Sequence, residues 1–191
     1  MIMKKYCFTA AALLLGLCFC LSCSYEPSME EIAIKGKIEE QKGEVKKFAL
    51  TEIEKIGEAT IGKEIEERTK NFQLKLMKDS EFEKQYRGQG LRQRADEKAA
   101  AIVRDIIHIR QMDSIKASIP DRLEELAYRE YRFSASCNTS EGPLELKDWY
   151  AAITPEGEVL NMVSSKSKLH SGLGVVIPGW KDLFPKKESD E

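Results

Sequence analysis

Three thiols, Cys18, Cys20 and Cys23, fall within six positions of the stretch Leu17-Cys-Phe-Cys-Leu-Ser-Cys-Ser24, and only Cys7 and Cys137 lie elsewhere. Thiols this close together serve a metal, a disulfide or a covalent modification. Cys20-x-x-Cys23 has the spacing of half a zinc site, but no second pair of Cys or His completes four ligands. A redox pair needs a folded, electropositive setting. These thiols instead end an apolar run. A covalent modification remains, beside cysteines carried by chance in a plain secretory signal or an uncleaved signal anchor.

The run itself explains why. Lys4 and Lys5 precede an uncharged segment from Tyr6 to Leu21. A cationic head and an apolar stretch of this kind describe a secretory signal peptide, somewhat short of the ~20 apolar residues of a membrane-spanning helix. Ser22 supplies a small residue immediately before Cys23, and Ser24 and Tyr25 begin a polar chain. The segment Cys20-Leu21-Ser22-Cys23 resembles the lipobox of bacterial lipoproteins, which typically reads Leu, two small residues and an acceptor cysteine. Leu17 and Phe19 precede the other two thiols and fit the motif less well. The resemblance covers the first two dozen residues and leaves the rest of the chain unclassified. It implies removal of residues 1–22, diacylglycerol and acyl (palmitate-type) chains on Cys23, and attachment to the cell envelope. The outer membrane, facing periplasm or surface, is the expected address. Each buried methylene contributes roughly 0.8 kcal/mol, so two or more chains hold a protein stably where one is marginal.

Other residues with chemical potential are few. Asp105-Ile-Ile-His108 puts a carboxylate and an imidazole on one helical turn, but a bundle metal site needs a second such motif. His108 is therefore read as a helix-surface or satisfied core residue, with no metal and no cofactor expected. Cys137 beside a histidine would make a nucleophile, yet its place in an alternating apolar segment reads as a small buried hydrophobe. The chain contains no GxSxG, P-loop or HExxH motif, and no residue is assigned as catalytic. The stretch Ser164–Gly174 joins hydroxyls, glycines, Lys166, Lys168 and His170, a composition that can bind an anion through backbone N–H groups or simply form a solvated loop. Asp113-Ser114-Ile115 resembles a short O-glycan acceptor of some exported Gram-negative proteins, which would place a sugar on Ser114.

Charge narrows the partners. The chain has 30 basic and 32 acidic residues and loses Lys4 and Lys5 with the signal, so nothing favours nucleic acid. With Cys23 acylated, Cys137 is the one remaining thiol and an internal disulfide is excluded.

These residues need elements to hold them. From Met29 to about Arg129 the chain is rich in Glu, Lys, Arg, Ala, Ile and Leu, with Pro120 its only proline, and the pattern predicts helix. Val45, Phe48, Ala49, Ile53 and Ile56 form one apolar stripe, Ile61, Ile65, Phe72 and Leu76 a second. Ser80-x-x-Glu83 suggests a restart. A third helix, about Arg94 to Ala117, carries Ala99, Ile102, Val103, Ile106, Ile107 and Ile109 as a wide face. A short helix from Pro120 to about Tyr128 follows. The period then changes to two over Tyr131–Cys137, and Trp149–Thr154 and Val159–Val163 flank the turn Pro155-Glu-Gly-Glu158 as a hairpin. Leu173–Ile177 reads as a further strand.

The expected architecture is α+β, a helical N-terminal two-thirds packed with a small antiparallel sheet near the C-terminus, the sheet covering the third helix. Residues 23–57 are read as anchor linker and helical arm, packing on their own domain. Residues 58–185 form the α+β domain and 186–191 a disordered tail. The expected function is a lipid-anchored envelope interaction or binding module without catalysis, engaging the membrane through Cys23 and an envelope protein partner. The alternative is an envelope enzyme with a site near residues 164–174.

Overall fold

The computed structural model describes residues 26–183; Cys23 and the tail from 184 lie outside them. Helix α1, Met29–Lys42, starts where Ser28 Oγ accepts the Glu31 N–H at 3.2 Å and stops at Gly43, whose φ of 78° breaks the helix. Strand β1, Lys46–Thr60, follows. Thr60 caps helix α2, Ile61–Gly88, by accepting the Lys63 N–H at 3.3 Å. A turn through Gly90 (φ 72°) reverses the chain into helix α3, Arg92–Ser118. A single 3-10 turn, Pro120–Arg122, leads into β2, Leu126–Thr139, then β3, Gly142–Ile153, and β4, Val159–Val163. Two 3-10 turns, Lys166–Lys168 and Leu173–Val176, and a short helix α4, Trp180–Leu183, close the described chain.

The strands form one antiparallel meander in the order β1-β2-β3-β4. Consecutive residues of β3 point to opposite faces, and each face has its own core. Ala151 and Ile153 join Ile34 and Ile38 of α1 with Tyr131, Phe133, Ala135 and Cys137 of β2. Ala152 joins Tyr128, the base of the helical hairpin through Ile65 and Met112, and the C-terminal segment through Leu169, Leu173 and Ile177. Helix α1 thus packs on its own domain. Gly174 is essential to the second core: a Cβ there would stand 2.5 Å from the Trp180 indole that covers it.

The helical N-terminal two-thirds is incorrect. Residues 46–60 are a full-length edge strand paired with β2 from Lys46↔Asn138 to Thr60↔Leu126. Register shifts fall between Lys46 and Ala49, Leu50 and Glu52, Lys55 and Gly57, and Ala59 and Thr60. Each irregularity resets the two-residue alternation, so the apolar residues recur at spacings that imitate a helix. Bulges also twist an edge away from further pairing, and charges along it discourage addition of another strand. The strand runs across the expected boundary between residues 57 and 58.

Three smaller expectations also change. Helix α2 continues through Ser80 without a restart. In place of a strand over Leu173–Ile177 there is a 3-10 turn, Leu173–Val176, entered from Gly172 at φ 81° and covered at Gly174 by Trp180. The chain from Pro120 makes one turn and then enters β2 at Leu126, short of a helix. Most consequentially, α3 packs along α2, not under the sheet. Lys75–Asp105, Lys98–Asp79 and Lys116–Glu66 tie the two helices at 2.9, 2.6 and 2.7 Å. No helix among the described residues is long and apolar enough to cross a membrane.

Candidate functional site

A buried polar cluster forms where the base of α2, strand β2 and the C-terminal segment meet. Glu64 is 1% exposed, and a carboxylate so buried needs partners for both oxygens. Arg68, one helical turn on, donates through Nε to Oε1 at 2.6 Å, and Tyr128 Oη donates to Oε2 at 2.8 Å. Burial and the neighbouring Glu64 carboxylate push the Tyr128 hydroxyl far above its ordinary acidity range, so it remains a donor. Arg68 Nη2 then reaches the His170 carbonyl at 2.6 Å, fastening the C-terminal segment to α2. The His170 ring lies beside Glu130, Nε2 to Oε1 at 3.5 Å. Gly57, opposite Glu130 in the ladder, leaves room for that carboxylate: a Cβ there would be 3.0 Å from Oε2.

A shallow hollow of about 360 Å³ opens over these groups, lined among others by Glu58, Lys63, Glu67, Tyr128, Glu130 and His170. An imidazole paired with a carboxylate can relay a proton. Glu64 is bonded to both Tyr128 and Arg68, so the three hold structure together and offer no free nucleophile.

Of the described residues singled out in the sequence, only His170 reaches this cluster. Lys166 and Lys168 stand exposed on the preceding 3-10 turn. That turn has a polarity of its own. Asn161 Nδ2 on β4 donates to the carbonyls of Lys168, Leu169 and Ser171 at 3.1, 2.8 and 3.1 Å. The N–H groups of Lys168, Leu169 and Ser171 are spent on Ser165, Lys166 and Lys168 carbonyls. Carbonyls, not N–H groups, converge at its centre. The sequence reasoning missed Asn161, whose signal was a lone amide inside the apolar run Val159–Val163.

Ser114 and Asp113 are exposed on α3. Asp105 is fully buried between the helices, its Oδ1 accepting from Lys75 Nζ at 2.9 Å. The His108 ring lies tilted against Phe72, ring centroids 5.0 Å apart, and burial lowers its pKa. Among the described residues no group of three or more His, Cys, Asp or Glu is arranged to hold a metal.

Cys137 is buried beside Phe133 and Ala135, and burial pushes its thiol pKa up. It should alkylate slowly in the native protein and rapidly in denaturant. Cys137→Ala should cost about 1 kcal/mol through lost packing. Native and denatured labelling rates that coincide would show the site to be open.

The helical hairpin supplies a different kind of feature. Beyond its base, among the described residues, α2 and α3 pack chiefly on each other, and two helices cannot cover both their outer sides. Leu74 and Met77 on α2 and Val103, Ile106 and Ile107 on α3 are left exposed, Met77 by 60% and Val103 by 57%. Lys75–Asp105 ties these two groups at the same level of the hairpin. Compared with known proteins, the chain matches no family model, no curated sequence and no solved structure.

Proposed function

We propose that the protein is a bacterial envelope lipoprotein, held by acyl chains on Cys23, whose domain is an interaction module working through the α2–α3 hairpin. The outer membrane, facing periplasm or surface, is its proposed place. The signal-like segment and Ser22-Cys23 support the anchor. One observation carries the interaction half. The apolar side chains at mid-hairpin are on a projecting element, where the protein's own cores do not cover them. Exposed apolar residues grouped this way mark a contact surface more than a chance solvent face. A sugar on Ser114 would sit on the same hairpin.

The test is capture from detergent-solubilised envelopes, with the wild-type protein and a Leu74→Glu/Met77→Glu/Val103→Glu variant as baits. These residues are exposed, so the variant should fold with an unchanged unfolding midpoint. It should lose at least about tenfold of whatever the wild type retains, as removal of central apolar anchors does elsewhere. Equal recovery by both baits would reject the hairpin as the contact surface.

A second reading, an envelope enzyme, is favoured by the His170–Glu130 pair lining the hollow. A turnover abolished by His170→Ala, with capture unaffected, would establish it.

A further inference from the structure

We infer that the outer side of α3 is a self-complementary seam on which a second copy of this chain packs, antiparallel and two-fold related. The inference rests on reading the hairpin as the interacting element and names what its α3 side binds.

Helix α3 turns Ala95, Asp105 and Met112 inward. On its other side, Arg92, Asp96, Ala99, Val103, Ile106, Arg110 and Asp113 recur at alternating spacings of four and three. That is the spacing of a seam between long helices crossing at a shallow angle. All are exposed except Ala99, which is half-buried. The order of residue types reads nearly the same from both ends once charges are inverted: cation, anion, small, Val103, large, cation, anion.

A two-fold axis through Val103 brings Val103 level with its counterpart. It sets Ala99 and Ala100 against Ile107 and Ile106 of the second copy, small against large. It sets Asp96 against Arg110, and Arg92 close to Asp113. Each pairing away from the axis occurs twice, and the Val103 contact on the axis once, as an isologous interface requires. A parallel pairing would instead place Asp96 on Asp96 and Arg110 on Arg110, which like-charge repulsion opposes.

The charges are free to serve this. Among the described residues, no ion pair within the chain engages Arg92, Arg110 or Asp113, and Asp96 reaches only Arg87, at 3.8 Å. The shorter ion pairs that join the two helices, Lys75–Asp105, Lys98–Asp79 and Lys116–Glu66, use other residues. The seam lies on the face that α3's periodicity marks as apolar and that neither α2 nor the sheet covers.

The experiment is sedimentation equilibrium on residues 24–191, which contain every residue of both hydrophobic clusters. Wild type should show a reversible dimer at about 100 μM, a concentration that detects even weak association. Asp96→Arg and Arg110→Asp, each creating two like-charge contacts, should weaken it by about tenfold or more. The double variant Asp96→Arg/Arg110→Asp should recover to within about threefold of wild type, since it restores both pairs reversed. Val103→Glu should abolish the dimer, with far-UV circular dichroism unchanged. A monomer at that concentration would overturn the inference while leaving capture by the hairpin intact. A double variant no better than the singles would overturn it as well.

Discussion

Glu64→Ala should lower the unfolding free energy by about 3 kcal/mol, the low end of the range for breaking a buried ion pair. The substitution strands Arg68, whose side chain is 15% exposed and therefore partly solvated, which is why the low end is expected. It also strands the buried Tyr128 hydroxyl. Glu64→Gln keeps the volume and an acceptor for Tyr128 and should cost less. Tyr128→Phe, which leaves Glu64 Oε2 without its donor, should cost about 1–3 kcal/mol. Combined with Glu64→Ala, it should add much less than its single effect, because the two side chains act as one unit. Arg68 also holds the His170 carbonyl, so Glu64→Ala should raise amide exchange over residues 169–177 before the rest of the second core. Urea unfolding and hydrogen exchange measure both effects. A Glu64→Ala midpoint within error of wild type would show that the network holds nothing.

The fold was legible where one rule governed a segment. Tyr131–Cys137 alternates without interruption and is a strand with Phe133, Ala135 and Cys137 on the α1 side. Pro155-Glu-Gly-Glu158 is the turn between β3 and β4, where Thr154 Oγ1 accepts the Glu158 N–H. β1 was illegible because its bulges erase the alternation that identifies a strand, and its abundant Glu and Lys match a helix in composition. The apolar face of α3 was visible, but periodicity says only that a face is apolar. Whether a sheet, a neighbouring helix or another molecule covers it depends on contacts distant in sequence.

The polar cluster was hidden for the same reason. Glu64, Tyr128 and His170 come from α2, β2 and the C-terminal segment, so no local spacing joins them. The one local pair in it, Glu64 and Arg68 at i,i+4, looks like any surface helix pair until burial is known. Conversely, Lys166 and Lys168 carried a strong compositional signal and remain solvated, because Asn161 gathers the loop's carbonyls and leaves the lysines outside.

The anchor proposed on Cys23 would decide where every surface described above operates, and its predicted effect is all-or-none. Processing at a lipobox removes the segment before the acceptor, and two or more acyl chains at roughly 0.8 kcal/mol per buried methylene make release from a bilayer negligible. Cys23→Ala should therefore block both acylation and cleavage and leave the precursor intact. Mass spectrometry of the N-terminal peptide from membrane-purified protein is the most direct measurement. The account predicts a peptide beginning at Cys23 and carrying lipid mass; an unmodified peptide beginning at Ser24, Tyr25 or later would contradict it.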